Sequence, residues 1–452
     1  MSRAIVIGGH ADSLLAAHLL ARAGHEVMVI EEKASPGHDG WVLPRVLSQL
    51  RLEGLKLHSP YPWISAPLPA GGRLELWRDM ARSVESIRRL SSRDAARWPE
   101  FCERMARLAR FLEKLYTQAP KSPLHLSFAL RARRLGKQGL ADLLRILPMP
   151  VAELLDDWFE NDVLKGALGA AGILHLQQGP RSGGTAFRLL HHHVGSPAGV
   201  FRPPSSNLLE LLRKRAGVES RRGEVMRIKV QNGRVTGVVL KNGEELAASM
   251  IVSGADPRRS LLELVEPGWL DPELARALAH VRRRGVVARV SLKLDRSPGF
   301  SRLVLAPSLD YLERGYDDSK YGRVSQRPYL EAHCDERHRV EVHVQYVPYG
   351  ADCSSIGDTV VALLSEHWGD AAPGEVRVLS PRDLEEIEGW PDGQAHHAEL
   401  SLDQALWMRP LPELARYRTP IQGLWLCGPG MHPGAGIAGA AGLNCAREIL
   451  RG

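Results

Sequence analysis

The stretch AIVIGGHADSLLAAHLLARAGHEVMVIE, residues 4–31, decides the fold class. Two short apolar runs, at 4–7 and 27–30, have the length and composition of buried parallel strands. The residues between them carry apolar side chains at helical spacing, after a tight turn at Gly8 and Gly9. The order strand, tight turn, helix, strand is typical of the βαβ unit of dinucleotide-binding domains.

This turn keeps only part of the glycine fingerprint G-x-G-x-x-G. A full fingerprint that begins at Gly8 needs two more glycines, where the chain has His10 and Ser13. Ser13 is small enough for close helix packing, but His10 adds a side chain where a pyrophosphate would meet the backbone, and Asp12 opposes an anion at the helix start. Glu31 has about the spacing of the acid that binds ribose hydroxyls. The pattern therefore predicts the fold, and supports a bound nucleotide only weakly.

A second glycine-rich turn lies near the C-terminus. An apolar run at 424–427 leads into GPGMHPGAGIAG, residues 428–439, and a helical pattern follows from about residue 440 to 450. Backbone N–H groups at such a helix start suit an anionic or polar ligand. The alternative is a crossover that needs positive φ at several glycines. The density of glycines around a His-Pro pair favours the ligand-binding loop.

The middle of the chain predicts further helices and a second sheet. Residues 95–116 form a long amphipathic pattern, and VMRIKVQNGRVTGVVL at 225–240 predicts a hairpin around its Asn-Gly pair. Residues 286–294 and 340–347 alternate in polarity as strands do.

Composition excludes several classes of protein. The chain has 452 residues with 44% hydrophobic and 25% charged residues, which is typical of a globular protein long enough for two or three domains. It contains no apolar run long enough to span a membrane, and its N-terminus does not resemble a signal peptide. Five scattered cysteines indicate a reducing, cytoplasmic location.

The charged and metal-ligating residues favour no nucleic-acid or metal site. The net charge is +7, and the basic clusters at 131–134, 213–215 and 282–284 indicate solvated helix ends or, alternatively, contact with an anionic surface. Nucleic acid is not expected, because no aromatic residues interleave with these clusters. The three histidines at 191–193 cannot all face one ion, so we expect no metal. His432 is expected to order its loop by hydrogen bonding.

Several stretches together resemble the phytoene-dehydrogenase-like branch of the FAD-dependent oxidoreductases, within the amine-oxidase-like flavoproteins, and are similar to the pyridine nucleotide-disulphide oxidoreductase domain 2 proteins. Besides the two glycine-rich turns, they are VSGADPRR at 252–259, YLERGYDDSKYG at 311–322, ELSLDQ at 399–404 and MRP at 408–410. The resemblance implies an α/β fold with a Rossmann-type FAD-binding domain built from discontinuous segments and an α+β substrate domain of mixed sheet and helices. The implied segments are 1–45, 200–262 and 415–452 for the first, and 46–199 and 263–414 for the second.

The resemblance also implies the positions of the cofactor-binding residues. Gly8, Gly9 and Ser13 would lie at the pyrophosphate, Glu31 at the adenosine ribose and the main chain of Val225 at the adenine. Gly428 and Pro429 would face the ribityl phosphate arm, and Gly436, Ile437 and Ala438 would pass beneath the flavin. A hydride would pass from an apolar substrate to the flavin, a reaction that needs positioning and a dry cavity more than a catalytic triad.

Three departures from the family leave two functions open. They are His10, the stretch 37–40 with an early arrival at Trp41, and PPSS at 203–206 in place of a Pro-x-Gly-Gly turn. One hypothesis is an FAD-dependent dehydrogenase or desaturase that acts on an apolar substrate delivered from a membrane surface or a carrier. The other is a family member with weak or no FAD binding that acts as a non-catalytic partner subunit or binding protein. The region 120–150, in which Leu124, Leu126, Phe128 and Leu130 precede Arg131, Arg133 and Arg134, is the candidate for peripheral membrane contact.

Overall fold

The computed structural model describes residues 3–32, 41–50, 55, 62–120, 133–196, 207–214, 218–434 and 436–452. Its strands are β1 Arg3–Ile7, β2 Glu26–Glu31, β3 Ile64–Pro67, β4 Arg73–Leu76, β5 Glu219–Arg222, β6 Val225–Gln231, β7 Arg234–Leu240, β8 Glu245–Ala247, β9 Met250–Ser253, β10 Val287–Leu294, β11 Arg302–Leu305, β12 Leu330–Cys334, β13 Arg339–Gln345, β14 Pro373–Leu379 and β15 Leu424–Leu426. Its α-helices are α1 Ala11–Arg22, α2 Pro44–Leu50, α3 Met80–Arg88, α4 Ser92–Tyr116, α5 Gly136–Ile146, α6 Val151–Trp158, α7 Asp162–Ile173, α8 Thr185–His192, α9 Leu208–Arg213, α10 Pro272–Ala279, α11 Leu309–Lys320, α12 Ile356–Ser365, α13 Pro381–Glu388 and α14 Ala440–Ile449.

A parallel five-stranded sheet forms the first layer, in the order β15-β9-β1-β2-β5. In the central strand β1, Ile5 lies opposite Met28 of β2 and Ile251 of β9. The apolar runs fit this position because a parallel sheet is covered on both faces. The βαβ prediction is therefore confirmed. The five strands fall within the segments expected for the cofactor domain, whose boundaries stay a prediction.

An antiparallel sheet forms a second layer, in the order β11-β12-β13-β10-β14. Val290 of β10 lies opposite Val342 of β13 and Val378 of β14. One face of this sheet shares its own apolar core with α12. The strands predicted at 286–294 and 340–347 are confirmed as neighbours.

The predicted hairpin and long helix are also present. β6 and β7 pair around Asn232 and Gly233, which have φ of 51° and 72°, the conformation that an Asn-Gly hairpin turn requires. Helix α4 begins after Ser91, whose side chain accepts the N–H of Asp94, and one of its faces is apolar and buried. This helix carries Tyr116 into the interior at its C-terminal end.

The region predicted to contact a membrane, residues 120–150, is described only in part. Residues 121–132 lie outside the described residues, whereas Arg133 and Arg134 are described and exposed. Within the described ranges, no helix combines the length and the hydropathy needed to cross a bilayer.

Candidate functional site

The first corner of the site is the turn after β1. Gly8 has a φ of 110°, and a Cβ on Gly9 would lie 2.2 Å from Glu31 Oε2, so only glycine fits beside this carboxylate. Glu31 is 8% exposed and accepts hydrogen bonds from Arg213 Nη2 at 2.8 Å and Ser220 Oγ at 3.0 Å. A carboxylate has about four acceptor positions. Glu31 therefore keeps acceptor capacity, and it lies at the carboxyl end of β2 as the sequence predicts.

The hairpin begins beside this corner. The N–H of Gly223 donates to the carbonyl of Glu31 at 3.1 Å. Val225 follows two residues later as the first residue of β6 and is buried. Its contact with adenine stays a prediction, but the structure brings it close to Glu31.

His10 occupies the space in front of helix α1. Its Nε2 lies 2.8 Å from the carbonyl oxygen of Gly254 and 3.1 Å from Ser13 Oγ. A Cβ on Gly254 would lie 2.0 Å from Ser13 Oγ and 2.5 Å from His10 Nε2, so the three residues are in tight contact. Burial lowers the pKa of His10, which keeps the ring neutral at pH 7. The uncharged ring therefore reduces the space in which the sequence predicts a diphosphate.

Asp12 lies in the first turn of α1, and its expected opposition to an anion there stays a prediction. Its carboxylate turns to the start of α14, where Oδ1 accepts the N–H of Gly442 at 3.1 Å. Helices α1 and α14 touch through their backbones here, because a Cβ on Gly442 would lie 1.9 Å from the carbonyl oxygen of Asp12. Burial raises the pKa of Asp12 to about 7, although backbone N–H groups of α14 oppose the rise.

The C-terminal loop forms the second corner. Gly428 lies against the backbone of Gly254, since a Cβ there would be 2.2 Å from the Gly254 carbonyl oxygen. Gly436 has a φ of 82°, and the Trp41 ring covers it, 2.8 Å from the position of a Cβ. The predicted residues Gly428, Pro429, Gly436, Ile437 and Ala438 thus share one loop after β15, next to the end of β9.

Trp41 forms backbone contacts with the C-terminal loop. It forms a parallel bridge with Ile437, and its carbonyl accepts the N–H of Ala438 at 3.0 Å. Its Nε1 donates to the carbonyl of Val194 at 3.1 Å. The departures at 37–40 and 203–206 lie outside the described residues.

A buried polar wall faces Trp41 from helix α8. Arg188, His191 and His192 lie three and four residues apart, on one side of the helix. The His191 and His192 rings both lie 5.3 Å from the Trp41 ring. Tyr116 Oη and His191 Nδ1 are 2.9 Å apart, and burial raises the pKa of Tyr116, so the phenol is neutral. The sequence pattern did not predict this wall, because a polar helix face ordinarily indicates exposure to water.

Arg409 holds the loops around the site. Its fully buried guanidinium donates to six carbonyl oxygens, those of His396, Ala398, Glu399, Gln404, Pro429 and Met431. His432 orders the same loop, as predicted, because its Nε2 lies 3.1 Å from the carbonyl oxygen of Leu115 and its own carbonyl accepts the hydroxyl of Tyr417 at 2.7 Å.

A row of histidines continues from this wall to the antiparallel sheet. The His175 ring lies 4.6 Å from that of His396 and 4.9 Å from that of His343, which contacts Gln345 at 2.9 Å. Burial lowers the pKa of His396 and of His343, so these rings are neutral. The described part of the chain contains no group of three or more residues arranged to hold a metal ion.

Comparisons with known proteins place this geometry in context. The profile of the family described as flavin containing amine oxidoreductase matches residues 43–450. Pyridine nucleotide-disulfide oxidoreductase domain-containing protein 2 of Rattus norvegicus is 29% identical over 99% of this chain and 93% of its own length. A limonene dehydrogenase subunit of Castellaniella defragrans is 25% identical over 99% and 94%. Hydroxyneurosporene desaturase of Cereibacter sphaeroides is 26% identical over 99% and 97%.

Solved structures share the architecture. An oxidoreductase from Methanosarcina mazei aligns over 100% of both chains with a TM-score of 0.59 at 13% identity. Cyclohexylamine oxidase from Brevibacterium oxydans aligns over 99% of this chain and 97% of its own, with a TM-score of 0.54 at 14% identity. At such identities the likeness shows the fold, which agrees with the predicted α/β class.

Proposed function

Since the chain belongs to the flavin-containing amine oxidoreductase family, we propose that it is a dehydrogenase or desaturase that takes a hydride from a largely apolar substrate. Membership of the family makes it an FAD-dependent oxidoreductase in general terms. The reaction class and the substrate are the proposed part. The printed names of two relatives support them, since they describe a limonene dehydrogenase subunit and a hydroxyneurosporene desaturase.

The residues at the two corners of the site, the turn with Glu31 and the loop that begins at Gly428, fit FAD. Glu31 offers free acceptor positions to the ribose hydroxyls beside Gly9, where the backbone is bare. At the other corner, Gly428 and Gly436 contribute no side chains of their own to the loop ahead of α14, and the Trp41 ring packs against Gly436. Between the two corners, the His10 side chain reduces the space predicted for the diphosphate of FAD. The site therefore fits the cofactor with one sterically restricted position.

The reaction divides between cofactor and chain. Bound FAD supplies a hydride acceptor. The chain binds and orients the substrate and excludes water. The Trp41 ring packs over Gly436, and a hydrogen bond joins Tyr116 and His191. Positioning of this kind is sufficient for a hydride transfer that needs no triad. We propose that the substrate reaches the site from a membrane surface or a carrier.

One observation carries the proposal. The Glu31 corner and the loop that begins at Gly428 both lie at the carboxyl edge of one parallel sheet, which is where open α/β sheets bind their ligands. The sheet brings these two parts together although most of the chain separates them in sequence.

The flavin content of the purified protein tests the proposal. We expect about one flavin per chain by visible absorbance, and bleaching of that absorbance when an oxidisable apolar substrate is added without oxygen. Glu31→Gln should lower the flavin content, whereas Glu244→Gln, a matched change at a half-buried ion pair with Arg221, should not. A protein that stays colourless after incubation with excess FAD would contradict the proposal.

A second candidate is a non-catalytic family member that acts as a partner subunit or binding protein. The contact of His10 with Gly254 and Ser13 favours it, because it fills space that a diphosphate needs. One relative is itself named as a subunit. A colourless protein that co-purifies in a fixed ratio with a second, flavin-bearing chain would support this candidate.

A further inference from the structure

Arg188 carries a buried charge that the described chain does not pair. The side chain is 1% exposed, and its Nε and Nη1 atoms are buried with no hydrogen-bond partner among the described residues. Burial of an ionised group without a partner costs several kcal/mol in general. A buried, unpaired guanidinium of this kind points to a ligand that supplies the missing partner.

Other inward-facing arginines in the described part of the chain do have partners. Arg104 pairs with Asp142, Arg283 pairs with Asp256, and Arg302 Nη2 lies 2.7 Å from Glu331. Arg409, which is also fully buried, donates to six carbonyl oxygens as described above. Arg188 therefore differs from these counterparts in having, among the described residues, neither a carboxylate nor a set of carbonyl groups.

No negatively charged group among the described residues compensates the charge of Arg188. The described groups that interact with it electrostatically are Tyr116, His192, His396 and Arg409. The phenol and both imidazoles are neutral, because burial raises the pKa of Tyr116 and lowers those of His192 and His396. The remaining neighbour is a second cation. This wall therefore has a positive potential that attracts an anion.

The position of Arg188 connects this potential with the site. It lies one helical turn before His192, whose ring contacts Trp41, and Trp41 pairs with Ile437 of the C-terminal loop. The guanidinium thus lies on the wall that faces the proposed cofactor and substrate, and its planar fork suits a carboxylate or a phosphate.

We propose that Arg188 binds an acidic group of the substrate, a carboxylate or a phosphate, so that the substrate is an organic acid with an apolar body. This inference rests on the proposed function and narrows its substrate class. It makes Arg188 a binding residue that fixes which end of the substrate enters first.

Anion binding in solution tests the inference without turnover. The melting temperature of the flavin-loaded wild-type protein is measured with acetate, octanoate and inorganic phosphate, and with acetamide and octanamide as neutral counterparts at equal ionic strength. We expect stabilisation by at least one of the anions and by neither amide. If none of the three anions raises the melting temperature more than the amides do, the inference is wrong.

Two variants assign the effect to Arg188. Arg188→Met should weaken anion binding by about tenfold to a hundredfold, which is the value of a charge-assisted hydrogen bond. It should also raise the melting temperature without ligand, because an unpaired buried charge is removed. A purely structural arginine would give the opposite shift. Arg188→Lys should retain part of the response, and Arg276→Met, at a residue with a 72% exposed side chain, should retain all of it.

The cofactor could supply the same anionic chemistry, so the apoprotein and the FAD-loaded protein are compared. An anion response that persists after FAD loading and is lost in Arg188→Met supports a substrate anchor. A response present in the apoprotein and abolished by FAD means that the cofactor occupies Arg188, which overturns the inference. A colourless protein would overturn the proposed function separately, because the apoprotein measurements do not depend on flavin.

Discussion

The turn at Gly8 and the α8 wall both place polar side chains in the interior, yet they treat those side chains in opposite ways. At the turn, His10 Nε2 and Ser13 contact each other and Gly254, and Glu31 accepts from Arg213 and Ser220. His10 Nδ1 has no hydrogen-bond partner among the described residues, but it belongs to a neutral ring, whose burial costs less than that of a charge. At the wall, two nitrogens of Arg188 are buried without a partner among the described residues. A satisfied cluster stabilises the fold without a ligand, whereas an unsatisfied one loses stability until a ligand binds. We therefore distinguish the polar residues of the turn, which stabilise the fold, from Arg188, whose charge a ligand would pair.

The largest effect is expected at Arg409, the buried arginine whose hydrogen bonds are satisfied by the protein itself. Arg409→Met removes six hydrogen bonds and leaves buried carbonyl oxygens in two loops without donors. We expect a loss of about 4 kcal/mol or more in the free energy of unfolding, measured by urea denaturation. Arg188→Met, of equal size and chemistry, is the matched control and should not be destabilised. Equal destabilisation of both variants would contradict the distinction.

The next effect concerns Asp12, whose burial raises its pKa to about 7. The folded state retains the proton between about pH 4 and pH 7, where the unfolded chain has released it, so this residue lowers stability progressively as the pH rises through that window. Asp12→Asn keeps an oxygen for the N–H of Gly442 and removes the charge. We expect the variant to gain about 2–4 kcal/mol over wild type at pH 8.

The pH profile provides the control for Asp12. At pH 4 the wild-type carboxyl is protonated in the folded state and a little under half protonated in the unfolded chain, so the two proteins should then differ by less than about 1 kcal/mol in the free energy of unfolding. A gain of the same size at both pH values would show that the carboxylate charge is not its cause.

A smaller effect tests whether His10 obstructs the cofactor. His10→Gly combined with Ser13→Gly removes both side chains that contact Gly254 and should strengthen FAD binding by about tenfold, or about 1.4 kcal/mol. The measurement is FAD titration of the apoprotein by fluorescence quenching. His25→Gly, at a histidine beyond α1 and away from this turn, controls for a general effect of glycine. Unchanged affinity would shift attention to the chain between β2 and Trp41.

The sequence predicted the parts of this molecule that depend on local signals. The βαβ unit and the Asn-Gly hairpin follow from periodicity and turn chemistry within a few tens of residues, and the place of Glu31 follows from its spacing after Gly8. The position of Asp12 could not be predicted, because its partner Gly442 lies 430 residues away. Nor could the burial of Arg188, since the packing of distant loops around α8 determines it.

The smallest effect is expected at Ser220, which belongs to the hydrogen-bonded residues around Glu31. Its hydroxyl donates to Glu31 Oε1 at 3.0 Å, while Arg213 holds the other oxygen. Ser220→Ala leaves the carboxylate paired with Arg213 but freer to rotate, so we expect a loss of about 0.5–1.5 kcal/mol in stability and FAD binding weakened by about threefold. Calorimetric titration with FAD measures the second effect. Ser365→Ala, an exposed serine whose hydroxyl donates within its own helix, should change neither value. If Ser220→Ala strengthened FAD binding instead, the serine would compete with the ribose for Glu31, and the corner would belong with the groups that obstruct the cofactor.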